Sequence, residues 1–185
     1  LLSSTRKVKG KVKIAELLAV DLNPALQQII LDQGYRDGVY TGQPVLDAYG
    51  VMGQVVDVSK ITSKLLLLTD IHSAIPVKDS RSGVRGIAVG LGDLSQLSVI
   101  NVAKMSDVKQ GDIFLTSGLG LHYPVGYPVG TVTHFSRQTN NEFSSIELSP
   151  AAHMDQTQHV LLVWPSQSVF RAEVKQLLAK GLPSS

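Results

Sequence analysis

The sequence predicts an all-β protein whose antiparallel strands form a sandwich or a barrel. About twelve short segments have the alternation or the β-branched composition of strands, and turn residues recur roughly every ten positions. Strands do not alternate with long helical patterns, which argues against a doubly wound α/β fold. Glycine and proline, at 16 and 8 residues, suit a fold with many tight turns.

The strand predictions follow in chain order. Lys11–Ile14 alternates with a period of two, as a half-buried strand does. Asp21–Pro24 is predicted as a turn, because Asn and Pro both favour turns, and Ala25–Asp32 as the second strand. Further short strands are predicted at 44–47, 51–59, 64–69, 74–77, 84–89, 96–101, 112–116, 129–135, 142–148 and 158–164.

One short helix is predicted near the C-terminus, over Val169–Lys180. Gly181 and Pro183 follow it as stop signals. Its apolar residues lie on one helical face: Phe170, Val174, Leu177 and Leu178. Because about twelve residues are few for an independent helix, residues 166–185 form either a docked helix or a frayed tail.

Two stretches of the chain repeat one order of features. Gly42–Val45 leads into Gly50–Val56, and Gly111–Phe114 leads into Gly126–Val132, each as turn, strand, glycine-rich turn and glycine-bearing strand. This echo indicates two structurally similar halves. Three glycines fall inside strand patterns, where glycine marks a bulge or a sharp bend: Gly53, Gly86 and Gly130.

Composition narrows the classes of function. The chain has no cysteine, which excludes disulfides, thiolate zinc sites and cysteine nucleophiles. Its net charge is +2, but five of the 17 basic residues precede the first acidic residue, Glu16. The remaining 12 basic residues face 15 acidic ones, which argues against a nucleic acid partner.

Membrane signals are absent from the sequence as given. No apolar run approaches the ~20 residues of a membrane span, and no signal peptide is visible. Because the chain starts with Leu1 and has no initial Met, we expect it to be a fragment with any anchor upstream.

The residues give weak support for catalysis. A chymotrypsin-type site needs a serine activated by a histidine and an aspartate. The nearest candidates are Ser117, in the glycine-rich stretch Thr116–Gly120, and His72, two residues after Asp70, but both lack the flanking residues of that family. No zinc-binding spacing joins the five histidines, so no metal and no cofactor is predicted: His72, His122, His134, His153 and His159.

Ten motifs resemble the MreC family of rod-shape-determining proteins in their order and spacing, over roughly residues 10–164. Each is weak alone, but together they are specific. They are Asp21–Pro24, Asp32–Val39, Gly42–Val45, Gly50–Ser59, Leu65–Asp70, Ala74–Val77, Gly86–Gly90, Val108–Asp112, Thr116–Gly120 and Pro124–Gly130. One departure is Leu121 after Gly120, where the family often has a second glycine, which puts any partner contact at that hairpin tip in doubt.

The resemblance implies two six-stranded antiparallel barrels of chymotrypsin-like architecture without catalytic residues. It implies a non-catalytic scaffold of cell-wall elongation that maintains rod shape from the periplasmic face of the bacterial inner membrane, to which an anchor missing here would tie it. The implied partners are a second copy of the chain, in a homodimer or a higher assembly, and penicillin-binding protein 2, RodA, MreD and MreB.

The strand count suggests how the two barrels divide. We expect residues 8–60 and 140–165 in the first barrel and residues 61–139 in a second, inserted barrel. A sequential split near residue 70 is the alternative.

Two groups of residues are candidate protein-interaction surfaces, because apolar side chains in turns, tyrosine and arginine are frequent at interfaces. The first group either contacts a partner or folds back to cap the second barrel: Leu119, Leu121, Tyr123, Val125 and Tyr127. The second either contacts a partner or forms ordinary hairpin tips: Tyr35, Arg36, Tyr40 and Tyr49.

Two other functions remain open at this point. One is a β-barrel hydrolase, which requires Ser117 within hydrogen-bond reach of a histidine. The other is a peptidoglycan-binding module, which requires an aromatic or polar groove. The single Trp and the aromatic content of 5% weaken this second alternative.

Overall fold

The computed structural model describes residues 10–103, 106–119, 123–136, 145–165 and residue 179. Within this part of the chain, the strands close into two six-stranded antiparallel barrels, which confirms the predicted fold class. The predicted helix Val169–Lys180 lies outside the described residues except for Ala179. No helix in the described ranges is long and apolar enough to cross a membrane.

The twelve described strands are numbered in chain order. They are β1 (Gly10–Asn23), β2 (Leu26–Leu31), β3 (Pro44–Leu46), β4 (Val51–Val58), β5 (Ser63–Leu67), β6 (Ala74–Asp79), β7 (Arg85–Gly90), β8 (Leu97–Ile100), β9 (Ile113–Thr116), β10 (Pro128–Ser136), β11 (Ser145–Pro150) and β12 (His159–Pro165). Neighbours in the first barrel follow the order β1-β12-β3-β4-β5-β2, and in the second β10-β11-β8-β7-β6-β9. A single 3₁₀ turn, Tyr35–Asp37, lies between β2 and β3.

The barrels divide at different residues from those expected. Strand β5 pairs with β2 and β4, so it belongs to the first barrel and not to the expected segment 61–139. Strand β11 pairs with β10 and β8, so it belongs to the second barrel and not to the expected segment 140–165. A strand's residues show which face is buried but not which strand lies beside it. The second barrel consists of the consecutive strands β6 to β11, and only β12 returns to the first.

Strand β1 is long because it serves two neighbours. Its first half pairs with β12, from Gly10 opposite Pro165 to Glu16 opposite His159. Its second half pairs with β2 from Leu17 onward, with a register shift between Leu17 and Ala19. The alternation in this strand does not identify the buried face by itself. Ile14 is 57% exposed, whereas Ala15 is 1% exposed.

The core runs through both barrels. The buried apolar side chains form one contiguous cluster, with Ile29 and Leu65 from the first barrel and Phe114 and Leu148 from the second. Burial of this apolar surface is the main favourable term in folding. The two barrels therefore share their stabilising interactions.

The sequence echo has a structural counterpart. In the first barrel, Val55 exchanges backbone hydrogen bonds with the Gly42-Gln43 pair, at 2.7 and 3.0 Å. In the second barrel, Val132 exchanges the same bonds with the Gly111-Asp112 pair, both at 2.8 Å. In each case the strand that holds the valine carries a glycine two residues earlier. The two halves thus repeat one local arrangement.

Those two glycines allow close backbone approach. A Cβ at Gly53 would collide with the carbonyl of Leu66, and a Cβ at Gly130 would lie 2.6 Å from the carbonyl oxygen of Ser149. Because both neighbours are backbone atoms, they cannot move aside without disturbing the strand pairing. Glycine is therefore a steric requirement where each barrel wall bends.

We expect Gly53→Ala to lower the free energy of unfolding by about 3 kcal/mol, at the upper end of the range for overpacking. The control is Gly111→Ala. That site has no atom within 4 Å of a Cβ but has φ of +89°, so we expect only the backbone penalty of about 1–2 kcal/mol. Urea denaturation followed by circular dichroism measures both. Equal losses would contradict the close-approach explanation.

Candidate interaction groove

A buried carboxylate joins the two barrels. Asp70, in the link between β5 and β6, is fully buried. Its Oδ2 accepts a hydrogen bond from the Gln27 backbone N–H at 2.6 Å, and its Oδ1 accepts one from the His72 backbone N–H at 2.7 Å. The His72 ring nitrogen Nδ1 lies 2.8 Å from the same Oδ1. Burial alone would raise the pKa of Asp70, but these hydrogen bonds outweigh it and lower the pKa below its ordinary value.

The side chain of Gln27 extends this connection into the second barrel. Its Nε2 donates to the carbonyl of Gly92, at 3.0 Å, in the turn between β7 and β8. Its Oε1 accepts a hydrogen bond from the Thr69 hydroxyl at 2.5 Å. Both Gln27 and Thr69 are buried, so each polar group needs the partner it has. Strand β2 is thereby fixed against the second barrel.

A second buried carboxylate shapes the other side of the junction. Asp47, 3% exposed, follows β3 directly. Its Oδ1 accepts hydrogen bonds from the backbone N–H groups of Tyr49 and Gly50, at 2.7 and 2.9 Å, which closes a tight turn. Its Oδ2 accepts the backbone N–H of His153 at 2.6 Å. Because His153 lies between β11 and β12, this aspartate ties the β3–β4 turn to the chain that returns from the second barrel.

Above this turn, Tyr49 and His153 stack on each other. Their ring centroids are 4.0 Å apart and the ring planes differ by 14°. Tyr49 remains 54% exposed. The backbone bonds to Asp47 therefore hold an aromatic face in a fixed position at the surface.

A groove of about 660 Å³ opens beside this aromatic pair. We call it the β1–β12 groove. Four of its lining residues are apolar: Ile14, Ala48, Val160 and Leu161. The other six are polar or aromatic: Glu16, Asp32, Asp47, Tyr49, Thr157 and His159.

Unequal strand lengths create the groove. Strand β12 has seven residues, and β3 has three. Their register consists of two pairs, in which Leu161 and Leu162 face Leu46 and Val45. The turn at Asp47 then carries the chain away from β12, while β1 continues along its other side as far as Glu16. The space between β1 and this turn is the groove.

The second predicted surface separates into two places. Tyr49 lines the β1–β12 groove, whereas Tyr35, Arg36 and Tyr40 do not. Tyr35 and Arg36 are exposed on the 3₁₀ turn, whose backbone N–H groups donate to the carbonyls of Ser59 and Lys60. Tyr40 is also exposed, at 41%.

The first predicted surface is partly core. Tyr123 and Tyr127 are 5% and 2% exposed, so these two side chains cap the second barrel from within. Burial raises the pKa of Tyr123. Leu119 and Val125 remain exposed, at 37% and 42%, and Leu121 lies outside the described residues. An interaction role thus stays a prediction for the exposed pair.

Ser117 does not form a catalytic pair in the described part of the chain. Its hydroxyl oxygen accepts a hydrogen bond from the Leu119 backbone N–H at 3.4 Å, and the side chain is buried. The hydrogen bonds of the described residues do not join it to a histidine. The Asp70–His72 contact resembles the orienting half of a triad, but its backbone bonds give it a structural use.

A charged cluster in the second barrel is structural as well. The guanidinium of Arg81 binds both oxygens of Asp112, at 2.9 and 3.0 Å, and both oxygens of Asp107, each at 2.9 Å. Arg81 lowers the pKa of Asp112, whereas burial and the neighbouring Asp112 raise the pKa of Asp79. Among the described residues, the structure brings together no group of His, Asp or Glu suited to a metal ion.

Most residues of the groove are not predicted by the sequence. Residue type predicts Tyr49 as an interface residue, but it does not predict Ile14, Glu16 or His159. They meet because the first and last strands of the described chain pair with each other. That pairing joins distant segments and leaves no local signal in the sequence.

Two antiparallel barrels with one shared core define an all-β double-barrel protein with a groove at the seam of the first barrel. The family model described as "Rod shape-determining protein MreC, barrel core" matches residues 17–164. The chain therefore belongs to the MreC family, as the motifs predicted.

Two curated relatives support this family membership. The chain is 41% identical to the cell shape-determining protein MreC of Haemophilus influenzae, in an alignment that covers 100% of this chain and 54% of that protein. It is 35% identical to the Escherichia coli protein of the same name, over 89% of this chain and 45% of that protein. The chain thus spans about half the length of the curated relatives it matches.

Solved structures share the fold. The chain is similar to an MreC from Pseudomonas aeruginosa with a TM-score of 0.80 and 47% identity, over 83% of this chain and 99% of that one. It also matches MreC in a complex between a penicillin-binding protein (PBP2) and MreC from Helicobacter pylori. That match has a TM-score of 0.64 and 16% identity, over 84% and 99% of the two chains. At that identity the second match shows the fold alone.

We expect Asp70→Asn to cost about 1.5–3 kcal/mol of unfolding free energy at pH 7, because an amide NH₂ group would face the Gln27 N–H donor. The folded pKa of Asp70 is lowered, so its contribution is present above the unfolded value near 4 and is lost as pH falls through the folded value. The cost should therefore shrink by pH 3. Urea denaturation at both pH values measures it.

The control is Asp21→Asn. This exposed carboxylate accepts one hydrogen bond, from the Asn23 backbone N–H, so the change should stay within about 0.5 kcal/mol at both pH values. An equal loss for Asp70→Asn at pH 7 and pH 3 would contradict the role given to its charge.

Proposed function

We propose that this chain is a non-catalytic scaffold of cell-wall elongation at the periplasmic face of the bacterial inner membrane. In this role it acts by self-association and by binding a peptidoglycan synthase. The observation that carries the proposal is that the chain has the fold of an MreC that occurs in a complex with a penicillin-binding protein. A further structural relative, 23% identical, is described as the major periplasmic domain of the cell shape-determining filament MreC.

A rigid double barrel suits such a role. A scaffold holds partners in fixed relative positions, so its surfaces must not move against each other. Here one core and two buried aspartates, Asp47 and Asp70, connect the barrels. RodA, MreD and MreB are proposed as further partners on family membership alone.

The geometry favours a scaffold over a hydrolase. The hydroxyl of Ser117 is engaged by the Leu119 backbone, and the His72 ring is oriented by a buried aspartate whose other bonds hold the junction. A peptidoglycan-binding role has less support, because the apolar side of the β1–β12 groove is aliphatic and Tyr49 is the aromatic residue among those that line it.

We assign the synthase contact to the exposed pair Leu119 and Val125. Both are apolar, both lie in the connection between β9 and β10, and Tyr123 and Tyr127 anchor this connection in the core. An apolar pair on a fixed support loses little conformational freedom on binding. The exposed Tyr35, Arg36 and Tyr40 form a second candidate surface for a protein partner.

We expect the double substitution Leu119→Ser and Val125→Ser to weaken binding of the chain to the periplasmic part of penicillin-binding protein 2 by about 30-fold, which is the loss of one interface hot spot. Biolayer interferometry with the purified synthase from the same organism measures the affinity. Tyr123 is left unchanged, because its loss would damage the core.

The matched control is Ile100→Ser with Ile113→Ser. These residues lie in the same barrel and are 42% and 46% exposed, so the control also replaces two exposed apolar side chains with serine. The control should bind within about twofold of the unmodified chain. If the unmodified chain does not bind the synthase at all, the proposed function is wrong. If both double variants weaken binding alike, the assignment to Leu119 and Val125 is wrong.

A further inference from the structure

The β1–β12 groove combines an aliphatic lining with unbalanced charge. Two of its residues are accessible carboxylates, Glu16 and Asp32, and none of its ten lining residues is Lys or Arg. The nearest lysine along β1, Lys13, is already paired with Asp37 at 3.3 Å. The groove therefore offers negative charge beside the apolar side chains of Ile14 and Leu161.

The backbones of these two acidic residues are held side by side. The Glu16 backbone N–H donates to Asp32 Oδ1 at 2.9 Å, and the Asp32 backbone N–H donates to the Glu16 carbonyl at 3.1 Å. These bonds fix Asp32, the residue that follows β2, against Glu16 of β1. The Glu16 side chain is 66% exposed, and its carboxylate lies 3.5 Å from Nε2 of His159. Two acidic residues on adjacent segments of the chain attract a cation.

The aromatic wall adds to this attraction. Tyr49 presents a ring that is held by the Asp47 turn and stacked on His153. The face of an aromatic ring attracts ammonium and guanidinium groups within about 6 Å. A basic side chain beside Tyr49 would thus meet a ring and two carboxylates. The volume of about 660 Å³ is within the usual range for a ligand site and suits one long basic side chain with an apolar neighbour.

We propose that the β1–β12 groove is a docking site for an extended segment of a partner protein that carries a lysine or arginine beside an apolar side chain. The proposal rests on the proposed scaffold function and adds a contact away from Leu119 and Val125. Charge complementarity selects this occupant. A neutral apolar segment would leave the carboxylates of Glu16 and Asp32 without a counter-charge, and an acidic segment would be repelled.

A direct test uses a fluorescein-labelled peptide, acetyl-Leu-Arg-Val-Lys-Leu-amide, and its acidic counterpart acetyl-Leu-Glu-Val-Asp-Leu-amide. Fluorescence anisotropy should show that the chain binds the basic peptide at least about tenfold more tightly than the acidic one, with weaker binding at high salt. Amide chemical shifts in NMR spectra should change at Glu16, Asp32, Tyr49 and His159. Equal affinity for the two peptides, no binding of either, or shifts at another face would overturn the proposal.

Substitutions in the groove test which residues contribute to peptide binding. Glu16→Gln with Asp32→Asn removes both charges but keeps Oδ1 of residue 32 as an acceptor, and should weaken binding of the basic peptide about tenfold. Ile14→Ser should also weaken it, because it removes apolar contact. The matched control, Glu147→Gln with Asp57→Asn, replaces one Glu and one Asp outside the groove and should stay within about twofold. Equal effects of the two double variants would contradict the docking site.

Two measurements with the same groove variant distinguish a separate protein partner from two other occupants of the groove. If Glu16→Gln with Asp32→Asn dissociates a self-assembly in analytical ultracentrifugation, the groove holds a second copy of the chain. If the variant loses binding to purified sacculi, the groove holds peptidoglycan. Either result overturns the proposal for a separate protein partner. Failure of the peptide with intact synthase binding would leave the scaffold function standing.

Discussion

The hydrogen bond from the Gln27 backbone to the buried carboxylate of Asp70 is the contact on which the architecture depends. It joins a strand of the first barrel to the link that enters the second. Moving a carboxylate out of water is costly unless hydrogen bonds replace those to water. The carboxylate of Asp70 accepts hydrogen bonds from Gln27 and His72. Once it is in place, Gln27 and Thr69 complete the junction. The barrels are therefore held by directional bonds as well as by their shared core.

The surfaces available to partners inherit their geometry from this junction. Asp47 makes a similar set of bonds on the other side of the junction. Its carboxylate closes the β3–β4 turn and accepts a hydrogen bond from the backbone N–H of His153. These hydrogen bonds position Tyr49 against His153, beside the β1–β12 groove. In the proposed scaffold, the placement of contact surfaces matters in the way that the placement of reacting groups matters in an enzyme. Under the proposed function, the same polar bonds serve both stability and recognition.

The sequence predicts the fold class well because alternation, glycine spacing and turn residues are local signals. The Val55 and Val132 arrangements could be anticipated from the repeated glycine pattern. The barrel to which β5 and β11 belong could not be predicted, because it depends on which distant strand pairs with each of them. Tyr123 and Tyr127 show a second limit, because apolar residues between glycine and proline fit a cap and a contact surface equally well. Of the groove, residue type predicts only Tyr49, since the groove combines residues 14–16, Asp32, residues 47–49 and residues 157–161, which are far apart in the sequence.

Native-state hydrogen exchange tests the central claim, that the junction makes the two barrels one cooperative unit. If they are one unit, the slowest amides of β4 and β10, one strand from each barrel, exchange with the same free energy of opening. In Gln27→Leu, which removes the side-chain bonds to Gly92 and Thr69, that free energy should fall by the same amount in both strands. Different opening free energies in the unmodified chain, or a loss confined to the first barrel in the variant, would contradict the account.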